Sequence, residues 1–311
     1  MKTIIINEND CGQRLDRFLT KSFKNLPKDL MYKHIRKKNI KIDGKKCMPS
    51  TKLLFGQELK VYIKDDLLAD CNKKFNFLKA SDELNIVYED QNLILINKES
   101  GVLCQSDRGN PFDSLVDRIK RYLYTEKKYF PDKERSFSPA LVNRIDRNTS
   151  GLVIAAKNAR ALRIACEKIR NREIKKFYIC VVEGCFEEEE GEISGFIKKN
   201  EDLNKVEVLN EEVKNSKYAV TKYQVLFKKG DKSLVEAEIL TGRSHQIRAQ
   251  FAHIGHPILS DRKYGRRTRS FHQALCSYKL KFCFNGNNDA LDYINGKQFK
   301  VNIDWFLKKF F

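Results

Sequence analysis

The chain has 311 residues, 60 Lys+Arg against 41 Asp+Glu, a formal net charge of +19 and 41% hydrophobic residues. That length exceeds what one core usually holds, so two domains of unequal size are expected, and the basic excess points to a polyanion, most commonly nucleic acid. No stretch approaches eighteen apolar residues, the first eight turn polar too soon for a signal peptide, and the nine cysteines include no Cys-x-x-Cys pair; a cytoplasmic protein with reduced thiols and no membrane span is expected.

In chain order, residues 13–63 read as a compact basic module. Leu15, Phe18 and Leu19 recur at helical spacing, and a second helix should open near Pro27, which suits a first helical position, and close near Lys38. In Arg14-Leu15-Asp16-Arg17 a carboxylate stands between two arginines, and Asp16 reads as a surface group of the first helix. Residues 39–46 alternate and turn at Asp43-Gly44, a hairpin signal, and 56–63 return as a strand. Arg14, Arg17, Lys33, Arg36, Lys37 and Lys38, with Lys41, Lys45 and Lys46, form a row that either neutralises phosphates or is a solvated face. The segment resembles the S4 RNA-binding domain in its arginine-rich opening, two short helices and Asp-Gly hairpin. Residues 1–63 are assigned to it, 64–80 to a linker that tethers it, and 81–311 to a second domain.

From Ser81 the texture changes to strands. Residues 84–88 and 93–97 flank the turn Glu89-Asp90-Gln91-Asn92; a helix is expected over 113–124 and a basic exposed loop with Lys127, Lys128 and Arg135 after it. Leu141-Val142-Asn143-Arg144-Ile145-Asp146-Arg147-Asn148-Thr149-Ser150-Gly151 places a carboxylate between Arg144 and Arg147 just before a bend, with the buried-strand run 152–156 behind it. Nearby positive charge favours an ionised Asp, although structural ion pairs have the same effect, as the copy at Asp16 warns. Next come an amphipathic helix (159–172) and a strand (176–182) on which Lys176 and Tyr178 share one face, so Tyr178 could stack on an extruded base or simply pack. The acidic turn 187–191 belongs away from an RNA face. Strands at 193–198, 204–209, 217–227 and 233–240 precede a helix over 244–254 that stops at Gly255.

Thr241-Gly242-Arg243-Ser244-His245-Gln246-Ile247-Arg248 brings a helix start and two guanidiniums together, suited to a phosphate or a carboxylate. His245, His253 and His256 lack metal-ligand spacing, and no metal is expected. Arg144 to Gly151, Lys176-Phe177-Tyr178, and Thr241 to Arg248 with Ala252-His253-Ile254-Gly255-His256-Pro257-Ile258 resemble, in order, the motifs of the RluA-type pseudouridine synthases. Tyr88-Glu89-Asp90 with Asn97-Lys98 is similar to their opening motif, and Tyr264-Gly265 to the end of their third. Asn143 stands where the family usually has His, and Glu99 where Pro commonly follows Asn-Lys, departures that bear on target choice or local rigidity rather than on the bond chemistry.

The resemblance implies that Asp146 is the catalytic carboxylate, Arg248 its ion-pair partner, Tyr178 the residue against the base and Arg144 a side chain that helps displace it; Lys176 is expected to support the site, and Arg147 and Arg243 to contact RNA. Isomerising uridine breaks C1′–N1 and joins C5 to C1′ without gaining or losing an atom, so no cofactor is expected. The fold expected is α+β: a small α/β module, then a long mixed, mainly antiparallel sheet flanked by helices. A monomer acting on large-subunit (23S) ribosomal RNA is the favoured reading. A tRNA pseudouridine synthase, a non-catalytic RNA-binding or ribosome-assembly protein, and an RNA N-glycosidase, which would release free uracil, are the alternatives.

Overall fold

The computed structural model describes residues 1–68, 75–107, 112–200, 205–266, 272–286 and 290–311. The first part contains β1 (Lys2–Ile5), α1 (Leu15–Ser22), α2 (Lys28–Arg36), β2 (Ile40–Ile42), β3 (Lys45–Lys46), β4 (Glu58–Val61) and a single helical turn, α3 (Asp65–Leu68). Its sheet runs β1-β4-β2-β3, and the hairpin turns where Asp43 and Gly44 both take positive φ, as a two-residue Asp-Gly loop requires. Leu15, Phe18 and Leu19 of α1 and Met31 and Ile35 of α2 pack with Ile4, Ile40 and Leu59 into one core. Asp16 departs from the expectation of a surface group: it is buried and gripped by Arg14 through Nε and Nη2 at 3.1 and 2.6 Å.

The second part contains β5 (Ile86–Glu89), β6 (Leu93–Lys98), α4 (Leu115–Thr125), β7 (Ala140–Leu141), β8 (Ser150–Ala156), α5 (Ala159–Arg170), β9 (Ile174–Glu183), β10 (Glu190–Asn200), β11 (Lys205–Leu209), β12 (Lys217–Lys229), β13 (Lys232–Ile239), α6 (Gln246–His253), β14 (Leu275–Phe282), β15 (Gln298–Lys300) and α7 (Asp304–Phe310). The sheet has eleven strands in the order β11-β10-β12-β13-β9-β14-β8-β6-β5, with β7 on β8 and β15 on β14. Among its described pairings only β14 with β8 is parallel, which makes the fold α+β with a mixed, mainly antiparallel sheet. Every residue of β8 is buried, as its near-continuous apolar run demands of a strand covered on both faces. A Ser114–Asp117 capping box opens α4, and the Asn158 side chain accepts from the Ala161 amide to open α5.

Residues 69–74 of the expected linker lie outside the described residues, as does 204 at the start of the expected strand 204–209. Leu68 joins the first core and Phe77 the second, so the two ends of that segment are packed rather than loose. In the loop after α4, Lys127, Lys128 and Arg135 are exposed as expected, while Tyr129 and Phe137 are buried. Glu134 accepts from Asn9 Nδ2 at 2.7 Å, Ser136 donates to Asp10 Oδ1 at 2.6 Å, and the Ala159 amide that starts α5 donates to Asn9 Oδ1 at 2.9 Å. Those contacts join the module directly to the larger part. Among the described residues no helix is long and apolar enough to cross a membrane.

Candidate active site

Asp146 sits on the loop between β7 and β8, and its backbone is pinned on both sides. The Thr149 amide donates to the Asp146 carbonyl at 3.1 Å. The Gly101 amide and the Lys98 ammonium both donate to the Arg147 carbonyl, each at 2.9 Å. Lys98 also donates to the Glu99 and Val102 carbonyls at 2.7 and 2.8 Å, so all three of its N–H groups are used inside the protein. Burial pushes this ammonium down to about 8, while Asp146 lies close enough to act in the opposite direction. Behind the loop, Gly151 takes φ +108 directly against the backbone of Ser277, so β8 and β14 meet at a point where no side chain fits.

The loop presents Asp146 to a cavity of about 560 Å³, a size suited to a small ligand. Arg144, Arg147, Lys176, Tyr178, Arg243, His245 and Arg248 line it with Asp146, and apolar wall comes from Leu103, Leu141, Ile239 and Leu275. The active-site residues named from sequence thus converge on one cavity, although Asp146 and Arg248 are 102 positions apart. The candidate RNA contacts of the first part belong to a different structural unit: Arg14 is engaged with Asp16, and Lys33, Arg36, Lys37 and Lys38 occupy α2 and its exit.

Arg248 bridges two carboxylates. Its Nη1 donates to Asp146 Oδ2 at 2.8 Å, while Nε and Nη2 form a two-pronged pair with Asp261 at 2.6 and 2.9 Å. The side chains of Arg248 and Asp261 are 8% and 0% exposed, against 27% for Asp146, so the arginine is anchored inside at Asp261 and the arrangement opens at Asp146. Burial alone would lower the Arg248 pKa; hydrogen bonding and charge from Asp261, then from Asp146, raise it above its usual value. Burial likewise opposes ionisation of Asp261, but Arg248 and the Lys263 and Tyr264 amides hold its carboxyl below the usual range.

The Tyr264 ring lies under the guanidinium of Arg248, 5.2 Å from centroid to Cζ. Its hydroxyl accepts from the Val206 amide at 2.8 Å and contacts His245 Nδ1 at 2.9 Å. The helix starts later than its pattern suggested: α6 begins at Gln246, and His245 is the N-cap in the left-handed region at φ 53. Arg243 therefore precedes the helix, where its Nε donates to the Tyr218 carbonyl at 3.0 Å and its amide to Gln246 Oε1 at 3.1 Å.

Tyr178 is buried on β9 opposite Ser277, and burial pushes its phenol well up, so it stays neutral. Lys176, two residues before it, is lowered by burial and makes no ion pair among the described residues. Arg144 Nη1 donates to Gln105 Oε1 at 2.9 Å, and Arg147 Nε to the Gly101 carbonyl at 3.0 Å. Asn143 accepts from the Ile154 amide at 2.8 Å, a structural task at the position where the family usually has His. His256 stacks on Phe186 at 4.0 Å, and the described residues hold no cluster of three or more His, Cys, Asp or Glu side chains placed for a metal. Asp261, Tyr264 and the position of His245 escaped the sequence reading. Asp261 precedes a basic residue like many surface carboxylates, and only Tyr264-Gly265, as the end of a motif, hinted at the segment.

Comparison with known proteins places the chain in a family. Residues 92–253 match the family model described as RNA pseudouridylate synthase. An uncharacterized RNA pseudouridine synthase of Mycoplasma capricolum is 31% identical across 99% of this chain and 100% of its own length. The ribosomal large subunit pseudouridine synthase C of Vibrio cholerae is 33% identical across 96% of this chain and 91% of its own. The solved structure of human RNA pseudouridylate synthase domain containing 4 superposes with a TM-score of 0.55 at 20% identity, covering 72% of this chain and 90% of that one, which speaks for the fold. The chain is a member of the RNA pseudouridylate synthase family, isomerases that act on uridines in RNA.

Proposed function

We propose that this enzyme isomerises specific uridines of large-subunit ribosomal RNA, with Asp146 as the catalytic carboxylate. The observation that carries the residue assignment is the Asp146–Arg248–Asp261 relay at the mouth of the cavity. The Nε and Nη2 edge of the guanidinium is committed to Asp261, and Nη1 donates to Asp146, the carboxylate that lines the cavity. Asp146 thus has its counter-charge already in place before substrate excludes water from the site. It then acts at C1′ or on the 2′ proton, C1′–N1 breaks, the uracil turns, C5 joins C1′, and the proton leaving C5 is balanced by the one gained at N1.

The ring of Tyr178 would face the extruded uracil, a stack worth about 1–3 kcal/mol in nucleic-acid complexes. Arg144, exposed at the rim, would occupy the place the base vacates. Lys176 and Arg243 supply positive charge at the wall and rim, and Arg147 does so beside Gly101. Residues 1–63 serve as an S4-like RNA-binding module, 64–80 as its connection and 81–311 as the catalytic domain of a monomeric, cytoplasmic enzyme that takes no metal. Preference for ribosomal RNA over tRNA rests on the names of relatives such as the Vibrio cholerae protein and on the basic α2 face.

Asp146→Asn is expected to fold, to bind RNA and to make no pseudouridine; product from that variant would remove Asp146 from the chemistry. Chemical mapping of pseudouridines in ribosomal and transfer RNA from cells with and without the gene identifies the target. Loss confined to tRNA would overturn the substrate assignment.

A further inference from the structure

The hydrogen bonds around His245 determine which of its ring nitrogens carries the proton. The Tyr264 oxygen already accepts from the Val206 amide at 2.8 Å, and its own hydrogen has one acceptor among the described residues, His245 Nδ1 at 2.9 Å. A neutral imidazole that accepts at Nδ1 must carry its hydrogen at Nε2. If Nδ1 were the donor, the hydroxyl hydrogen of Tyr264 would have no acceptor among the described residues. Burial, the largest influence on the ring, lowers its pKa; Asp146 works against this, and Arg248 and Lys263 add to it.

That Nε2–H stands 3.9 Å from Asp146 Oδ2, the same oxygen that Arg248 Nη1 holds at 2.8 Å. Asp146 Oδ1 accepts no hydrogen bond among the described residues. The separation is longer than a hydrogen bond, and catalytic bonds of this kind commonly tighten when substrate closes the site. The backbone points the same way. His245 is held at φ 53 and ψ 19, a left-handed conformation that costs an ordinary side chain energy and persists where its surroundings impose it. With that backbone the imidazole sits between Tyr264 and Asp146 at the cavity wall.

We infer that His245 is a positioning residue for the reaction: the Val206–Tyr264–His245 chain presents an Nε2–H to Asp146 Oδ2, so that two donors fix this oxygen and Oδ1 is the one that meets the ribose. The inference rests on the assignment of Asp146 as the catalytic carboxylate. It adds which carboxylate oxygen reacts and what holds the other.

His245→Gly removes the imidazole at a position whose φ glycine adopts without strain, so the fold is expected to survive. His245→Asn keeps an N–H donor on a residue that tolerates the left-handed region, and Tyr264→Phe removes the hydroxyl while keeping a ring under Arg248. The glycine variant should lose kcat on an RNA substrate on the order of tenfold with KM little changed, as for an interaction that matters in the transition state. Asparagine should restore part of the rate. Nitrogen-15 NMR of the imidazole should show Nε2 protonated and Nδ1 bare in the parent enzyme, and a mixture of tautomers in Tyr264→Phe. A bare Nε2 in the parent, a parental kcat in the glycine variant, or an effect confined to KM would overturn the inference. Product from Asp146→Asn would instead overturn the reading beneath it, so the two failures are told apart.

Discussion

Replacing Arg248 by Met separates the two tasks of this side chain. The substitution keeps much of the apolar stem, but it leaves the Asp261 carboxylate, 0% exposed, without the guanidinium that accounts for two of its hydrogen bonds. Breaking a buried pair by removing one partner costs about 3–5 kcal/mol. The Lys263 and Tyr264 amides continue to bond Asp261 Oδ1 at 2.9 and 3.3 Å, which favours the lower half of that range. For a domain of this size about 3 kcal/mol corresponds to a fall in Tm on the order of 10 °C.

The deficit should depend on pH. In the parent the folded-state pKa of Asp261 is depressed, so its contribution to stability is present above the ordinary carboxylate pKa and is lost as pH falls through the folded value. In the variant burial acts without a counter-charge and raises that pKa, so protonation favours the folded state. The stability gap between parent and variant should therefore narrow as pH falls from 7 toward the carboxylate range. Urea unfolding at several pH values measures this, with single-turnover pseudouridine formation alongside. Adding Asp261→Asn to Arg248→Met should recover much of the stability and none of the rate. A gap independent of pH, or activity that returns with stability, would refute the relay.

Three further outcomes are expected. Gly151→Ala places a methyl against the Ser277 backbone at a positive φ, so the contact between β8 and β14 should open and the soluble yield or thermal midpoint fall sharply; a normal midpoint would mean that the two strands part easily. Tyr178→Phe should retain most of the activity because the neutral ring is the working surface, whereas Tyr178→Leu should lose about 1–3 kcal/mol of stacking, read as a fall in kcat/KM; equal rates for Phe and Leu would exclude a stacking role. Reversing Lys33, Arg36 and Lys37 to Glu on α2 should weaken RNA binding and flatten its dependence on salt while leaving the catalytic domain folded. An unchanged salt slope would place the RNA elsewhere.

Local pattern was enough for the hairpin at Asp43-Gly44, the apolar face of α1 and the buried run of β8, because turn chemistry and hydrophobic period act over a few residues. It misled at Asp16, where the Arg-flanked carboxylate is buried by the module core, and it gave no sign that Tyr129 and Phe137 are buried among the exposed basic residues of the loop after α4. The sequence by itself determined the family, the α+β class and the active-site candidates, since ordered motifs survive as text. Only the tertiary structure decided which candidates meet. Strand order places β14 between β8 and β9, Gly151 allows β14 to approach β8, and Arg248 reaches Asp146 across 102 positions. Asp261, Tyr264 and the tautomer of His245 depend on contacts between distant segments, and the charge state of a buried group is set by its neighbours in space rather than along the chain.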